Sequence, residues 1–368
     1  MSSDREVRLD LDPGSTLLLA GPAAFKLAAG EAQCFGGSVQ RSQWIKVDES
    51  RQAPIFALSS TIVQLKLGPA SSHTVLQRST IPTAWAEAAQ IVQRQKGVAV
   101  IVGGIDSGKS SLSAFVANRC VDSGLEVAII DGDVGQADIG PPATISSAKT
   151  SKPILGLHDL KADRSFFIGD TSPSTVPHKL IQLLVRLRQE ARSSDVVLVN
   201  TDGWIGDAGA FRHKLDLLNE LQPALVLGLY RGSEIDSLMV NLTTPSVRVP
   251  SSPYAKIRSR EERKKTREAS YRRFLHSSRT LKVDPDRTRM RIFDRPEQLV
   301  FHGVSKFRGY LVGLLNESQE LLSIGRVRDA SDREILVETN ASEKPSFLEI
   351  GNLVLSPKYE EVDYGVLQ

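Results

Sequence analysis

The sequence predicts an α/β fold: a P-loop NTPase core with a mostly parallel sheet, flanked by N-terminal and C-terminal β-rich domains. Three observations predict it. A strand–loop–helix segment carries G-x-x-x-x-G-K-S at Gly103–Ser110. From Gly97 to Leu229 short apolar runs alternate with helix-length amphipathic ones. On either side of that region the apolar runs are shorter and broken by Gly, Pro, Asp and Ser.

The expected divisions are residues 1–78 for the N-terminal β-rich domain, 79–295 for the P-loop domain with a basic lid at about 256–274, and 296–368 for the C-terminal β-rich domain. In the first, strands are expected at Ser15–Leu19, Gln43–Val47, Ile55–Leu58 and Thr61–Leu67, and Ile81–Gln95 reads as a connecting helix. The core then reads as strand Val98–Val102, helix Ser110–Asp122, strand Val127–Ile130, helix Val176–Ala191, strand Val196–Val199, helix Ala210–Leu221 and strand Ala224–Leu229. In the last domain strands are expected at Gln298–Phe301, Gly309–Leu315, Leu321–Val327, Glu334–Thr339 and Phe347–Leu355, as a small barrel or sandwich.

Composition narrows the class. With 368 residues, 40% hydrophobic and 24% charged, the chain reads as a multidomain globular protein. No run reaches the roughly 18 apolar residues of a membrane helix. The charged start MSSDREVRLDLDPG has no apolar signal-peptide core. Cys34 and Cys120 stand far apart, so no disulfide framework is expected, and no histidine pairs with a cysteine at zinc-ligand spacing. An intracellular location, cytoplasmic if prokaryotic, follows as the expectation. The net charge of +3 hides an asymmetry: Lys256–Arg273 holds nine Lys/Arg against three Glu. Such a run is either a solvated helix face or an anion-binding surface.

The glycine-rich loop explains itself chemically. Backbone N–H groups of Gly103, Gly104, Ile105, Asp106, Ser107 and Gly108 must turn inward to cradle phosphate oxygens, and glycine permits the required conformations. Lys109 brings a positive charge to the β- and γ-phosphates of a nucleoside triphosphate, and the Ser110 hydroxyl suits Mg²⁺, with Ser111 beside it. The helix that follows adds its dipole. Phosphoryl transfer also needs a carboxylate at a neighbouring strand end. Strand Val127–Ile130 runs into D-G-D-V-G-Q, which offers Asp131 and Asp133 for the metal or its waters. No Asn-Lys-x-Asp guanine motif occurs, which disfavours a GTPase switch.

GGIDSGKSS followed by DGDVGQADIGPP resembles the polynucleotide 5′-hydroxyl kinases, RNA kinases related to subunits of the mRNA 3′-cleavage and pre-rRNA processing machineries. The shorter archaeal members are the most similar in length. G-D-T-S-P at Gly169–Pro173, N-T-D-G-W at Asn200–Trp204 and R-S-R-E-E-R at Arg258–Arg263 resemble three further family segments. The resemblance covers about residues 98–274, and Gly104 stands where many members have proline. It implies transfer of the ATP γ-phosphate to a 5′-hydroxyl end of RNA, or of DNA. It implies Asp133 as general base, Asp131 on the metal or its waters, and family positions at Asp106 and Gln136. Thr171 and Trp204 would hold the 5′ end. An RNA-processing nuclease or complex is the implied partner, with no membrane.

The lid segment carries its own signal. Ser259 and Glu262 form a capping box, which places Arg258 at N′ and Arg263 at N4, where a hydrophobic staple would meet. Two arginines there repel unless an anion lies between them, which predicts a phosphate clamp; a solvent-exposed helix with Glu–Arg pairs is the alternative. Trp204 is open to core packing or to base stacking. Two other functions fit the motifs less closely: a P-loop kinase or ligase of a small metabolite, and an ATP-binding scaffold in an RNA-processing complex.

Overall fold

The computed structural model describes residues 5–49, 51–284, 287–293, 295–298, 304–331 and 334–362. The N-terminal strands are β1 (Arg5–Leu11), β2 (Thr16–Ala20), β3 (Ala23–Ala29), β4 (Ala32–Cys34), β5 (Gly37–Ser38), β6 (Ile45–Val47), β7 (Gln52–Ala57), β8 (Thr61–Leu67) and β9 (Ser72–Leu76). They form two sheets, β1-β8-β3-β6 and β5-β4-β7-β2-β9. Alternation along β8, with Thr61, Val63 and Leu65 inward and Lys66 outward, is what one buried face requires. The expected runs at 15–19, 43–47, 55–58 and 61–67 fall on β2, β6, β7 and β8 with shifted ends. β1 and β3 escape a hydrophobicity reading because charged residues or alanines fill them.

Helix α1 (Thr83–Gln95) leads into the core, and buries Trp85, Ala88, Ala89 and Val92 on one stripe. The core continues through β10 (Gly97–Gly103), α2 (Lys109–Asp122), β11 (Val127–Gly132), β12 (Thr144–Thr150), β13 (Arg164–Phe167), α3 (Pro177–Glu190), β14 (Val196–Thr201), α4 (Ala208–Leu221), β15 (Leu225–Tyr230), α5 (Asp236–Val240) and β16 (Ser246–Pro250). The sheet order is β13-β12-β11-β14-β10-β15-β16. Strands β11, β14, β10, β15 and β16 run parallel, while β12 and β13 are antiparallel at one edge. Helices α1 and α2 cover one face, α3 to α5 the other. Double coverage explains why β11 and β14 are buried along their whole length and apolar up to Ile130 and Val199.

Helix α6 (Arg260–Phe274) follows, then β17 (Arg279–Val283), β18 (Arg289–Ile292), β19 (Arg295–Gln298), β20 (Tyr310–Leu315), β21 (Leu321–Ser331), β22 (Glu334–Thr339), β23 (Phe347–Leu355) and β24 (Glu361–Val362). All eight strands share one sheet. Because β17 and β18 precede residue 296 and pair into it, we propose that this unit begins near 279 rather than 296. Of the expected strand Gln298–Phe301, residues 299–301 lie outside the described residues.

Specific contacts fix the three parts to one another. The Asn118 side chain on α2 donates to Phe35 O at 2.9 Å and Ile154 O at 2.8 Å, tying an N-terminal turn to the core. Phe167 at the end of β13 packs with Leu311, Leu315 and Phe347 of the C-terminal sheet and with Tyr271 of α6. Cys34 and Cys120 are buried and unbonded to each other.

Trp85 is the largest fully buried side chain; its indole N–H donates to Pro250 O at 2.8 Å and its ring meets Phe115 edge-on. Trp85→Ala is expected to lower stability by about 3–5 kcal/mol. Trp85→Phe, which keeps a ring but gives up the hydrogen bond, is expected to cost less. Urea unfolding of the two variants against wild type measures both.

Candidate active site

Strand β10 delivers the chain to Gly103, and the loop turns with Asp106 at φ 56° and Gly108 at φ 101° before α2 begins at Lys109. These left-handed residues aim the loop's amides toward its centre. The Lys109 ammonium arcs back to donate to Gly104 O at 2.8 Å. Burial pulls its pKa below the usual lysine range, against the opposing charges of Asp133, Asp202 and Asp106.

Strand β11 ends in the acidic turn, and the structure separates its carboxylates by task. Asp131 is buried and accepts from Asp138 N at 2.6 Å, Ile139 N at 3.1 Å and Asn200 Nδ2 at 3.0 Å. Burial and the neighbouring Asp138 charge push it up to about 7. Its oxygens therefore brace the turn. Asp133 is half-buried and lines the cavity, accepting from Gln136 N at 3.0 Å. Burial raises its pKa and the Lys109 charge opposes the rise.

The residue missing from the sequence reading is Asp138. It pairs with Arg51 at 2.8 Å, and the nearby Ser110 hydroxyl helps to hold its charge. Burial would raise its pKa, but Arg51 and His158 hold it below the ordinary value. Its acidic spacing in D-G-D-V-G-Q-A-D was visible; its neighbour Arg51, from the N-terminal domain, was not.

The capping box at the start of α6 is present: Ser259 Oγ accepts from Glu262 N at 3.1 Å and Glu262 Oε2 accepts from Ser259 N at 2.7 Å. Arg258 and Arg263 do flank an anion, and that anion belongs to the chain. Asp106 Oδ1 accepts from Arg258 Nη2 at 2.6 Å and Nε at 2.8 Å. Asp106 Oδ2 accepts from the Arg258 backbone N–H at 2.9 Å and from Arg263 Nη1 at 3.4 Å. Arg231 also donates to the Asp106 carbonyl. The lid is thus latched to the phosphate loop through Asp106, in addition to whatever phosphate contact its arginines make.

Thr171 lies beside Asp133, and Trp204 follows the end of β14. The Thr171 carbonyl and Asp133 Oδ1 both border Gly135: a Cβ placed there would lie 2.9 Å from the first and 3.6 Å from the second. Asp170 anchors the Thr171 loop, accepting from Ser172 N at 2.9 Å and from Asn352 Nδ2 of β23 at 2.7 Å. Gly203, just before Trp204, packs directly on Ile105 of the phosphate loop. Beneath this turn Lys214 of α4 donates to Asp202 Oδ2 at 2.7 Å, both side chains being buried. Burial alone would raise the Asp202 pKa, yet Lys214 and His213 hold it well below the carboxylate range. This pair was also absent from the sequence reading.

One cavity of about 610 Å³ runs from Lys109, Ser110, Ser111 and Asp133 to the N-terminal domain. Its lining includes the apolar Pro22, Phe25, Phe35 and Pro54 and the ring of Tyr254, beside the charged Lys46, Asp48, Glu49 and Arg51. That volume is in the range of a nucleotide pocket. Thr171 and Trp204 lie outside it. The lining thus joins the phosphate loop to a set of aromatic side chains, suited to the phosphates and the base of one nucleotide.

Residues 103–277 match the family model described as the mRNA cleavage and polyadenylation factor CLP1 P-loop. A protein of Pyrococcus abyssi named polyribonucleotide 5′-hydroxyl-kinase is 30% identical over 262 residues, covering 70% of each chain. One of the same name from Methanocaldococcus jannaschii is 32% identical over 188 residues, 50% of this chain and 52% of that one. The solved structure of a wild-type Clp1p–Pcf11p complex superposes with a TM-score of 0.73 at 14% identity, covering 95% of this chain and 98% of that one, which supports the three-part fold.

Replacing Lys214 by Met leaves the Asp202 carboxylate buried and unpaired, at an expected cost of about 3–5 kcal/mol at pH 7. Because Lys214 is what depresses the Asp202 pKa, its removal lets burial raise it, and the variant regains stability on taking up a proton. The gap from wild type is therefore expected to narrow as pH falls, measured by urea unfolding at pH 7 and pH 4.5.

Proposed function

The chain belongs to the family of polyribonucleotide 5′-hydroxyl-kinases and CLP1-type P-loop proteins, and we propose that it transfers the γ-phosphate of ATP to the 5′-hydroxyl end of RNA. The observation that carries this reading is the position of Asp133. It lines the nucleotide cavity with Lys109, and across Gly135 it borders the loop of Thr171. A carboxylate between a phosphate cradle and a second, separate seat suits an acceptor hydroxyl better than it suits water.

In this reading the loop amides of 103–108 and Lys109 hold the triphosphate, and the base lies against the rings of Phe25, Phe35 and Tyr254. Asp133 accepts the proton of the 5′-hydroxyl as that oxygen attacks the γ-phosphorus and ADP leaves. Its raised pKa makes it a better proton acceptor than an ordinary carboxylate. Arg258 and Arg263 spread charge over the equatorial oxygens, and Asp106 keeps both within reach of the loop.

Among the described residues no cluster forms an all-protein metal cage. Mg²⁺ rarely needs one: it keeps several waters and takes one or two protein oxygens plus phosphates. Ser110, Asp138 and the buried, unpartnered Asn200 Oδ1 suit such a hydrated ion and would hold it, with Asp133 near and Asp131 acting through Asn200. Bound there, the ion would neutralise charge developing on the β- and γ-oxygens. A substrate with a free 5′-hydroxyl is the product of a nuclease leaving 2′,3′-cyclic or 3′-phosphate ends, so the proposed reaction belongs to RNA processing. No helix among the described residues is long and apolar enough to cross a membrane.

The test is transfer of label from [γ-³²P]ATP to a 5′-hydroxyl RNA oligonucleotide, with a DNA oligonucleotide as the competing acceptor. No transfer under conditions where ATP binds would sink the proposal. Asp133→Asn is expected to reduce kcat by about 10²–10⁴ while ATP still binds. In wild type the acid limb of the pH–rate profile is expected above the ordinary carboxylate range, and to vanish in that variant. Arg258→Ala and Arg263→Ala are each expected to cost up to about 10³ in kcat; a change below threefold in both would remove the arginines from the chemistry.

A further inference from the structure

Trp204 is held at more points than core packing requires. Its backbone N–H donates to Asp202 Oδ1 at 2.9 Å, and its indole N–H donates to Asp207 Oδ2 at 2.7 Å. Asp207 cannot swing away easily, because its other oxygen caps α4 by accepting from Ala210 N at 2.8 Å. One face of the indole lies on the His213 imidazole, with ring centroids 5.5 Å apart and planes at 28°. Trp204 is half-buried, so part of the indole is left to solvent.

His213 is an odd residue for the place it occupies. It is 3% exposed, and neither ring nitrogen has a hydrogen-bond partner. Its Nε2 stands 3.6 Å from Asp202 Oδ2, which Lys214 already engages at 2.7 Å. A leucine would fill this volume without stranding two polar atoms. What leucine lacks is a flat π face. The imidazole supplies one against Trp204, and the Asp202–Lys214 pair fixes the helix turn that carries it.

We propose that His213 is a positioning residue for the acceptor: it backs Trp204 so that the outer indole face is set to stack the 5′-terminal base of the RNA. The inference rests on the reading of Trp204 as part of the acceptor seat. An indole fixed in advance loses little freedom when a base settles on it. His213 touches neither substrate nor reacting atoms, and its effect on the acceptor runs through Trp204.

Two RNA acceptors separate this role from simple core filling: one with an ordinary 5′-terminal nucleotide, the other with an abasic ribose at that position. In wild type, removing the base is expected to raise KM for RNA about tenfold, the scale of one base–aromatic stack. His213→Ala and His213→Leu are expected to raise it by a similar factor on the ordinary acceptor, to leave the abasic acceptor unchanged, and to leave KM for ATP unchanged. His213→Phe is expected to restore wild-type behaviour. His213→Leu keeps the volume filled, so the comparison stands even where the alanine variant unfolds. An equal penalty on both acceptors, or less than twofold on the ordinary one, overturns the role of His213. If Trp204→Ala still prefers the ordinary acceptor over the abasic one as strongly as wild type does, the acceptor-seat reading falls and this inference with it; label transfer by wild type is unaffected by either outcome.

Discussion

The carboxylate of Asp106 is the point on which the donor half of the site depends. It sits inside the phosphate loop, yet its four hydrogen bonds all go to the two lid arginines. With only 2% of its side chain exposed, it would be a severe desolvation penalty if unpaired. Pairing with Arg258 in a two-pronged geometry removes that penalty and fixes where the lid helix starts. The other end of α6 is rooted in the C-terminal domain, where Arg267 makes two bonds of 2.6 Å to Glu361 and Tyr271 packs beside Phe167. A single helix therefore carries the position of the C-terminal sheet to the rim of the phosphate loop.

The acidic turn shows why two carboxylates two positions apart have different work. Parallel pairing of β11 with β14 sets Asp131 directly opposite Asn200, so its side chain is enclosed by the strand ends and spent on backbone amides. Asp133 lies past the last paired residue, where the chain has left the sheet and the side chain reaches the cavity. The same step out of the sheet puts Gly203 and Trp204 beyond Thr201 on β14. Both halves of the site thus stand at the carboxyl ends of neighbouring parallel strands, where open α/β sheets bind ligands.

Much of this was legible in the sequence because it is local. The loop from Gly103 to Ser110, the acidic turn after β11 and the capping box at Ser259 are each encoded within a few residues, and α2 and β11 follow from periodicity alone. Even the demand for an anion between Arg258 and Arg263 was local, although its identity was not: Asp106 lies 152 positions away from Arg258. Asp138 with Arg51, and Asp202 under Trp204 with Lys214, were missed for the same reason, since each takes its meaning from a partner on another element. The strands β12 and β13 were missed for a different one. Thr144–Thr150 is rich in Ser and Thr, and such a segment reads as loop until the edge of a sheet supplies its hydrogen bonds.

The charges around Lys109 link the two halves energetically. Its ammonium is surrounded by Asp133, Asp202 and Asp106, and it opposes the rise in the Asp133 pKa that burial causes. Triphosphate oxygens in the loop compete for that same ammonium, replacing the Gly104 carbonyl it now contacts. Whatever share of the Lys109 field the phosphates neutralise is withdrawn from Asp133, which then holds a proton more readily. Asp202 does not take up the slack in the opposite sense, because Lys214 keeps it ionised at fixed distance. Occupancy of the phosphate loop therefore raises the proton affinity of Asp133 through one shared cation, Lys109.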